Sequence, residues 1–363
     1  MIARSSPSAE TGDDAAVALL TEMLRIYSPS TEEEGIAVFL VDAMTRLGFR
    51  AERDEAGNAV GHMGDGERHF VLLGHMDTVP GEIPVRRDGS LLFGRGAVDA
   101  KGPLAAFIIA AARAGTLPGF KVTVVAAVEE ETYSSAGAHH IANVYRPDFA
   151  LIGEPSQWDR ITLGYKGVLV IQYTLRRAMA HTAAQGRGAA EEAVAFWNQV
   201  SSWADSYNSG QPEGRFQTVD ASLRNIHSGN DGLEEWVEMT VGFRLPLPLN
   251  LEDLLAEIEA KRGMADIRRM NYERPYRSEK STPLTTSLLH AIRSEGGTPA
   301  FVVKTGTSDM NVVGPAWSCP VVAYGPGDSS LDHTPHEHID IGEYLAAIRV
   351  LHGALKGLAA RLM

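Results

Sequence analysis

The chain has 363 residues, 44% of them hydrophobic and 22% charged, and its 46 Asp and Glu outnumber 33 Lys and Arg to give a formal charge of −13. This is the composition of a folded protein long enough for two domains, not of a disordered or fibrous chain. The acidic balance argues against nonspecific nucleic-acid or anionic-membrane binding, which needs clustered cations; the pairs Arg86-Arg87, Arg176-Arg177 and Arg268-Arg269 are too short to provide them.

In chain order, Met1 to Asp14 is small, polar and partly acidic, and reads as a loose tail without the apolar stretch of a secretory signal. Helices are predicted over Ala16 to Leu24 and Glu34 to Leu47, the second closed by Gly48. Phe70 to Gly74, Val122 to Val128, Phe149 to Gly153 and Pro320 to Tyr324 read as short buried strands. Leu104 to Ala114 is alanine-rich and helical, with Pro103 in the first turn where its missing N–H costs little. Strands alternate with helices as in an α/β domain. Between residues 168 and 272 the pattern changes: strands Leu169 to Leu175 and Trp236 to Phe243 with helices Ala189 to Tyr207 and Leu251 to Arg262 predict an inserted α+β domain. The first pattern returns over 273–363, with helices Thr282 to Glu295 and Gly342 to Leu362. The expected fold is therefore α/β: a catalytic domain formed by 1–167 and 273–363, with a mixed, mostly parallel sheet flanked by helices, plus the insertion. The single cysteine, Cys319, precludes an intrachain disulfide and predicts a buried thiol. The longest apolar run, Leu104 to Ala112, is too short to span a bilayer. A soluble, cytoplasmic protein is expected.

Each predicted strand runs into a potential ligand, and open α/β sheets place their sites beyond the carboxyl ends of strands. His75, the Glu129-Glu130-Glu131 run and Glu154 obey that rule; Asp99 lies in a glycine-rich loop and His333 follows the turn Gly325-Pro326-Gly327-Asp328. Zinc accepts imidazole nitrogen and carboxylate oxygen, and two ions held close together need a bridging carboxylate. Asp99 is the natural bridge, with His75 and Glu154 completing one ligand set and Glu131 and His333 the other. Asp77, two residues past His75, is placed to accept the second imidazole N–H. A further carboxylate must move a proton from water to the leaving amine, and the glutamate run contains it.

Taken singly, His75 reads as a structural histidine, Asp99 as a turn aspartate, Glu154 as a strand end and the glutamates as a charged surface turn. His333 lies close to His336 and His338, and spacing alone does not choose among them. Their joint placement at strand ends is what reads as a site. A nucleotide-binding reading of Gly94 and Gly96 fails because Asp99 stands where a third glycine belongs.

The segments Gly74-His75-Met76-Asp77-Thr78-Val79-Pro80, Gly94-Arg95-Gly96-Ala97-Val98-Asp99-Ala100-Lys101-Gly102, Glu129-Glu130-Glu131 and Gly153-Glu154-Pro155-Ser156 resemble the zinc aminoacylase and carboxypeptidase family, which includes acetylornithine deacetylase and succinyl-diaminopimelate desuccinylase. The resemblance implies two zinc ions, with cobalt as an accepted substitute. It makes Glu130 the general base, Glu131 the ligand and Glu129 the occupant of the family's aspartate position. Through His333-Thr334-Pro335-His336-Glu337 it selects His333 as the last ligand. The insertion resembles the family's dimerisation domain, so a homodimer is implied, with His181 matching the histidine that reaches the partner's active site to stabilise the oxyanion. Arg177 stands where relatives carry a glycine.

The resemblance also implies substrate contacts by Arg244, Asn230, Gly306, Thr307 and Ser308. Gly164-Tyr165-Lys166-Gly167, residues 304–312 and Tyr324-Gly325-Pro326-Gly327-Asp328-Ser329 are most similar to a branch that frees lysine or ornithine from a LysW-type amino-group carrier protein, in lysine or arginine biosynthesis. That branch hydrolyses the amide between the side-chain carboxyl of the carrier's C-terminal glutamate and the amino acid's α-amino group. The alternatives are an acetylornithine deacetylase or dipeptidase of the same family, or a metal- or carrier-binding protein without turnover.

Overall fold

The computed structural model describes residues 11–179, 181, 186–212 and 214–363, which form two compact units, one of residues 11–164, 278–303 and 308–363 and the other of 165–277 and 304–307.

The first unit is built on a mixed sheet in the strand order Arg50–Arg53, Ala59–Met63, Phe120–Ala127, Arg68–His75, Phe149–Gly153, Val321–Ala323, Arg160–Tyr165, the last also pairing Ala300–Lys304. The strands from Phe120–Ala127 to Val321–Ala323 run parallel, and the pairings flanking these four are antiparallel. The parallel strands are unbroken apolar runs such as Phe70 to Leu73, as burial of both faces requires. Helix Lys101–Ala114 is buried along most of its length and packs against the sheet, helix Asp13–Arg25 and helix Ile341–Leu362. Gly74 and Gly153 admit this helix: a Cβ on Gly153 would lie 3.0 Å from Phe107, and one on Gly74 3.3 Å from Leu104.

Strand register gathers the candidate ligands. His75 pairs with Ala127 and Gly74 with Gly153, so His75, the residues after Ala127 and Glu154 emerge side by side at one sheet edge. A small sheet of His338–Asp340, Leu91–Phe93 and Arg86–Asp88 brings the segment after His333 against the Gly94–Asp99 loop.

The expected tail is shorter than predicted. Residues 1–10 lie outside the described set, but Asp13 and Asp14 already form the first turn of helix Asp13–Arg25, where acidic side chains complement the helix dipole. Cys319 is half-buried, and burial pushes its thiol up to about 12.

The second unit is a four-stranded antiparallel sheet ordered Asp220–Asn230, Glu234–Leu245, Gly167–Ala178, Asp266–Glu273. Alternate residues Leu169, Ile171, Tyr173, Met239, Val241 and Phe243 face helices Ala189–Ser209 and Leu251–Lys261, making a separate core with Phe196, Leu254 and Ile258.

Candidate metal centre

At the edge of the first unit's sheet, His75 is buried, and its Nδ1 lies 3.0 Å from the backbone carbonyl of Asp77 and 3.4 Å from Asp77 Oδ1. Both neighbours only accept, so Nδ1 carries the hydrogen and Nε2 presents a lone pair. The expectation that the Asp77 carboxylate orients the ring needs correcting, since the nearer acceptor is that residue's own carbonyl. Its carboxylate serves the glutamate run instead: Oδ1 accepts from Glu130 N at 3.1 Å, and Oδ2 from Glu131 N at 3.0 Å and Ser30 Oγ at 2.7 Å.

Asp99 stands between two histidines. Its Oδ1 is 3.2 Å from His75 Nε2 and its Oδ2 is 3.1 Å from His333 Nε2, which is also 3.0 Å from Glu131 Oε1. Burial raises the Asp99 carboxyl, but hydrogen bonds from His333 and His75 outweigh it and hold the group well below the usual carboxylate range. His333 is pushed up to about 10 by Asp99 and Glu131. Ligand-type atoms of His75, Asp99 and Glu154 lie within 4.8 Å of one another, as do those of Asp99, Glu131 and His333, and Asp99 is common to both groups. His75, Glu130 and Glu131 form a third such group, with Glu130 Oε2 4.0 Å from His75 Nε2.

Burial raises Glu154, and Asp99 raises it further. Glu130 is pushed well up by burial, with Glu154, Asp309 and Glu131 adding to it against the pull of His75, and burial then Asp99 raise Glu131. Buried carboxylates crowded like this need cationic compensation, and nitrogen and oxygen donors at this spacing fit divalent metal ions. Two residues at the site adopt left-handed backbone, Glu129 at φ 59° and His333 at φ 62°, conformations rarely held by non-glycine residues away from functional sites. The Asp99-Ala100 peptide is cis.

Several supports were invisible in the sequence. The fully buried Glu337 accepts from the amides of Val98 and Asp99 at 2.9 and 3.1 Å with Oε1, and from Arg95 Nη1 at 2.8 Å with Oε2. Arg95 in turn donates to the carbonyls of Gly81 and Thr334. Glu337 thereby ties the Asp99 loop to the His333 loop. Glu33 Oε1 accepts from Glu129 N at 3.1 Å, and buried Lys101 donates to the carbonyls of Met23 and Ile26. Only contact between distant segments gives these residues a role; the sole sequence signal was their position inside or beside the ligand motifs.

The remaining expected residues are divided between the two units. In the second unit, Arg244 Nη1 donates to Thr307 Oγ1 at 2.7 Å, and Gly306 precedes that threonine. His181 is exposed, and Asn230 ends an exposed strand of the same unit. Ser308 belongs to the first unit; it is buried, its amide donates to Asn311 Oδ1 and its hydroxyl accepts from Met310 N.

Residues 71–357 match the family described as Peptidase family M20/M25/M40. The chain belongs to that family. It is accordingly a hydrolase of amide bonds. Among curated proteins it is 46% identical to the LysW-lysine hydrolase of Deinococcus radiodurans, over 95% of this chain and 97% of that one. It is 36% identical to a putative LysW-lysine/LysW-ornithine hydrolase of Thermococcus kodakarensis, over 94% and 92% of the two chains. The fold matches an M20 family metallo-carboxypeptidase from Sulfolobus solfataricus with a TM-score of 0.77 at 18% identity, covering 95% of this chain and 99% of that one. Human carnosine dipeptidase 1 matches at 0.72 and 16%, over 98% of each chain.

Proposed function

We propose that this M20 family member frees lysine or ornithine from the C-terminal glutamate of a LysW-type amino-group carrier protein. The observation that carries the chemistry is Asp99, whose two carboxylate oxygens face two different histidines. The substrate class rests on near full-length similarity to proteins named for hydrolysing LysW-lysine.

In this reading His75, Asp99 and Glu154 hold one zinc ion and Asp99, Glu131 and His333 a second, with cobalt an accepted substitute. When bound, the cations polarise the amide carbonyl and lower the pKa of water. Glu130, absent from both groups that contain Asp99, takes the proton from the attacking water and delivers it to the departing amine. Asp77 fixes the backbone at Glu130 and Glu131, so these carboxylates need no reorganisation during turnover. Arg244 binds a substrate carboxylate, with Thr307 holding its guanidinium; Gly306, Ser308 and Asn230 contact the rest of the substrate.

The functional form is a homodimer in which His181 of one protomer stabilises the oxyanion formed in the other. Supporting this, Asp220–Asn230 is an edge strand that exposes Leu223 and Ile226, as a strand seeking a partner does. A cytoplasmic location agrees with the single cysteine; among the described residues no helix is long and apolar enough to cross a membrane. The deciding experiment incubates metal-loaded protein with carrier-bound lysine, carrier-bound ornithine and acetylornithine and measures free amino acid. Release from the carrier supports the proposal, and release from acetylornithine alone replaces it with a deacetylase.

A further inference from the structure

The strand Asp220–Asn230 carries an irregularity. Leu223 pairs with Val241 and Asn225 with Thr240, which leaves Arg224 as an extra residue. Bulges re-aim a side chain, and this one lays Arg224 across the neighbouring strand. A Cβ added to Gly242 would fall 2.3 Å from Arg224 Nε and 2.7 Å from its Cζ, so the guanidinium rests on bare backbone. Glycine inside a strand weakens it and marks a site of close approach; here the guest is an arginine side chain.

Arg244 lies two residues along the same strand and hence on the same face, opposite Asp220 on one side and Val168 on the other. Val241 and Phe243 point to the other face, into the helix-covered core. Asp220, the acid facing Arg244, is bonded to buried Lys166 at 2.7 Å. Two guanidiniums thus share one face of the sheet, one held by Thr307 and the other seated over Gly242.

We infer that Arg224 and Arg244 form a paired carboxylate reader, each binding one of the two carboxylates that flank the scissile amide. The assignment rests on the carrier-hydrolase reading. A glutamate joined through its side-chain carboxyl to the α-amino group of lysine retains its own α-carboxylate and that of the lysine. The two α-carbons are five bonds apart, about 6 Å when extended. Strand positions two residues apart are spaced by about 6.7 Å. Each guanidinium offers the planar fork that a carboxylate accepts bidentately. An N-acetyl amino acid has only one carboxylate of this kind and engages one arginine, so the pair favours the glutamyl amide over the acetyl amide.

The test uses the dipeptide in which the glutamate side-chain carboxyl acylates the lysine α-nitrogen, together with its two mono-carboxamides, each lacking one carboxylate charge. Affinity is measured by calorimetry on metal-loaded full-length protein carrying Glu130→Gln, alone and with Arg224→Gln, Arg244→Gln or Gly242→Ala. Arg224→Gln should weaken dipeptide binding about 10- to 100-fold. It should leave unchanged the affinity for whichever mono-carboxamide lacks the carboxylate Arg224 reads, and Arg244→Gln should show the same pattern with the other. Gly242→Ala, whose new Cβ meets only a movable side chain, should fold normally and reproduce the Arg224→Gln pattern. Unaltered dipeptide affinity in Arg224→Gln, equal losses for all three ligands, or no dipeptide binding to the Glu130→Gln protein would each overturn the pairing. If the dipeptide binds as expected while the unmutated enzyme hydrolyses neither it nor carrier-bound amino acid, the hydrolase reading fails and the arginine pairing stands.

Discussion

Asp77 receives the Glu130 amide on one carboxylate oxygen and the Glu131 amide on the other. Asparagine at this position would turn an NH2 toward one of those donors, so Asp77→Asn should lower bound metal affinity and kcat by about 10- to 100-fold each, as loss of a supporting hydrogen bond does at metal sites; metal analysis and steady-state rates on carrier-bound lysine check this. Glu337 and Arg95 are a buried ion pair whose charges also hold backbone groups. Removing one partner strands the other, so Glu337→Ala should cost roughly 3–5 kcal/mol in urea unfolding. The Glu337→Ala/Arg95→Ala double variant should lose less than the sum of the single losses. Additive losses would mean that the two groups act independently. The ligand residues were legible because residue type and strand-end position coincide at His75 and Glu154. Asp77 and Glu337 were legible only as members of motifs, because their roles depend on amides 54 and 239 residues away in the chain.

Three adjacent strands, Ala59–Met63, Phe120–Ala127 and Arg68–His75, are cross-linked through one hydroxyl: Thr123 Oγ1 lies 2.9 Å from His62 Nδ1 and 2.7 Å from His69 Nε2. A hydroxyl has a single hydrogen, so it can donate to one ring while accepting from the other, and both imidazoles are satisfied when neutral. Burial, with Lys121 nearby, pushes each histidine down to about 4. The folded pKa lies below the unfolded value of 6.5, so this stabilisation is complete above pH 6.5 and lost as pH falls through 4. Urea midpoints should therefore drop between pH 6.5 and 4, and His62→Gln/His69→Gln should flatten that part of the profile by on the order of 2 kcal/mol, allowing for solvent screening at half-buried His69. An unchanged slope would remove the pair as the cause. The long buried strands were readable from apolar runs. Arg50–Arg53, Leu91–Phe93 and His338–Asp340 were not, since strands of this length show too few alternations to establish a period.

The two units have separate hydrophobic cores, and the acid cluster belongs to the first. A divalent cation binding only the folded state at 100 times its Kd adds about 2.7 kcal/mol of stability. Chelation should therefore speed hydrogen exchange in the strand ends around His75 and Ala127 while leaving Gly167–Ala178 protected, as mass spectrometry of peptides would show. Equal deprotection of both units would contradict a metal centre confined to the first. That the chain leaves the α/β pattern and returns to it was legible from composition and periodicity. The assignment of residues 304–307 to the second unit was not, because nothing local distinguishes them from their neighbours.

The clamp between Glu337 and the Asp99 amide joins residues 238 apart in the chain. During synthesis on the ribosome, the loop bearing Asp99 emerges long before the carboxylate that pins it, and the whole second unit is translated in between. A polypeptide stalled or clipped before Glu337 therefore carries His75, Asp99, Glu130, Glu131 and Glu154 without the means to lock them in register. Hydrolytic competence arrives only as the last stretch of the message is read, which keeps unfinished chains from cleaving amides.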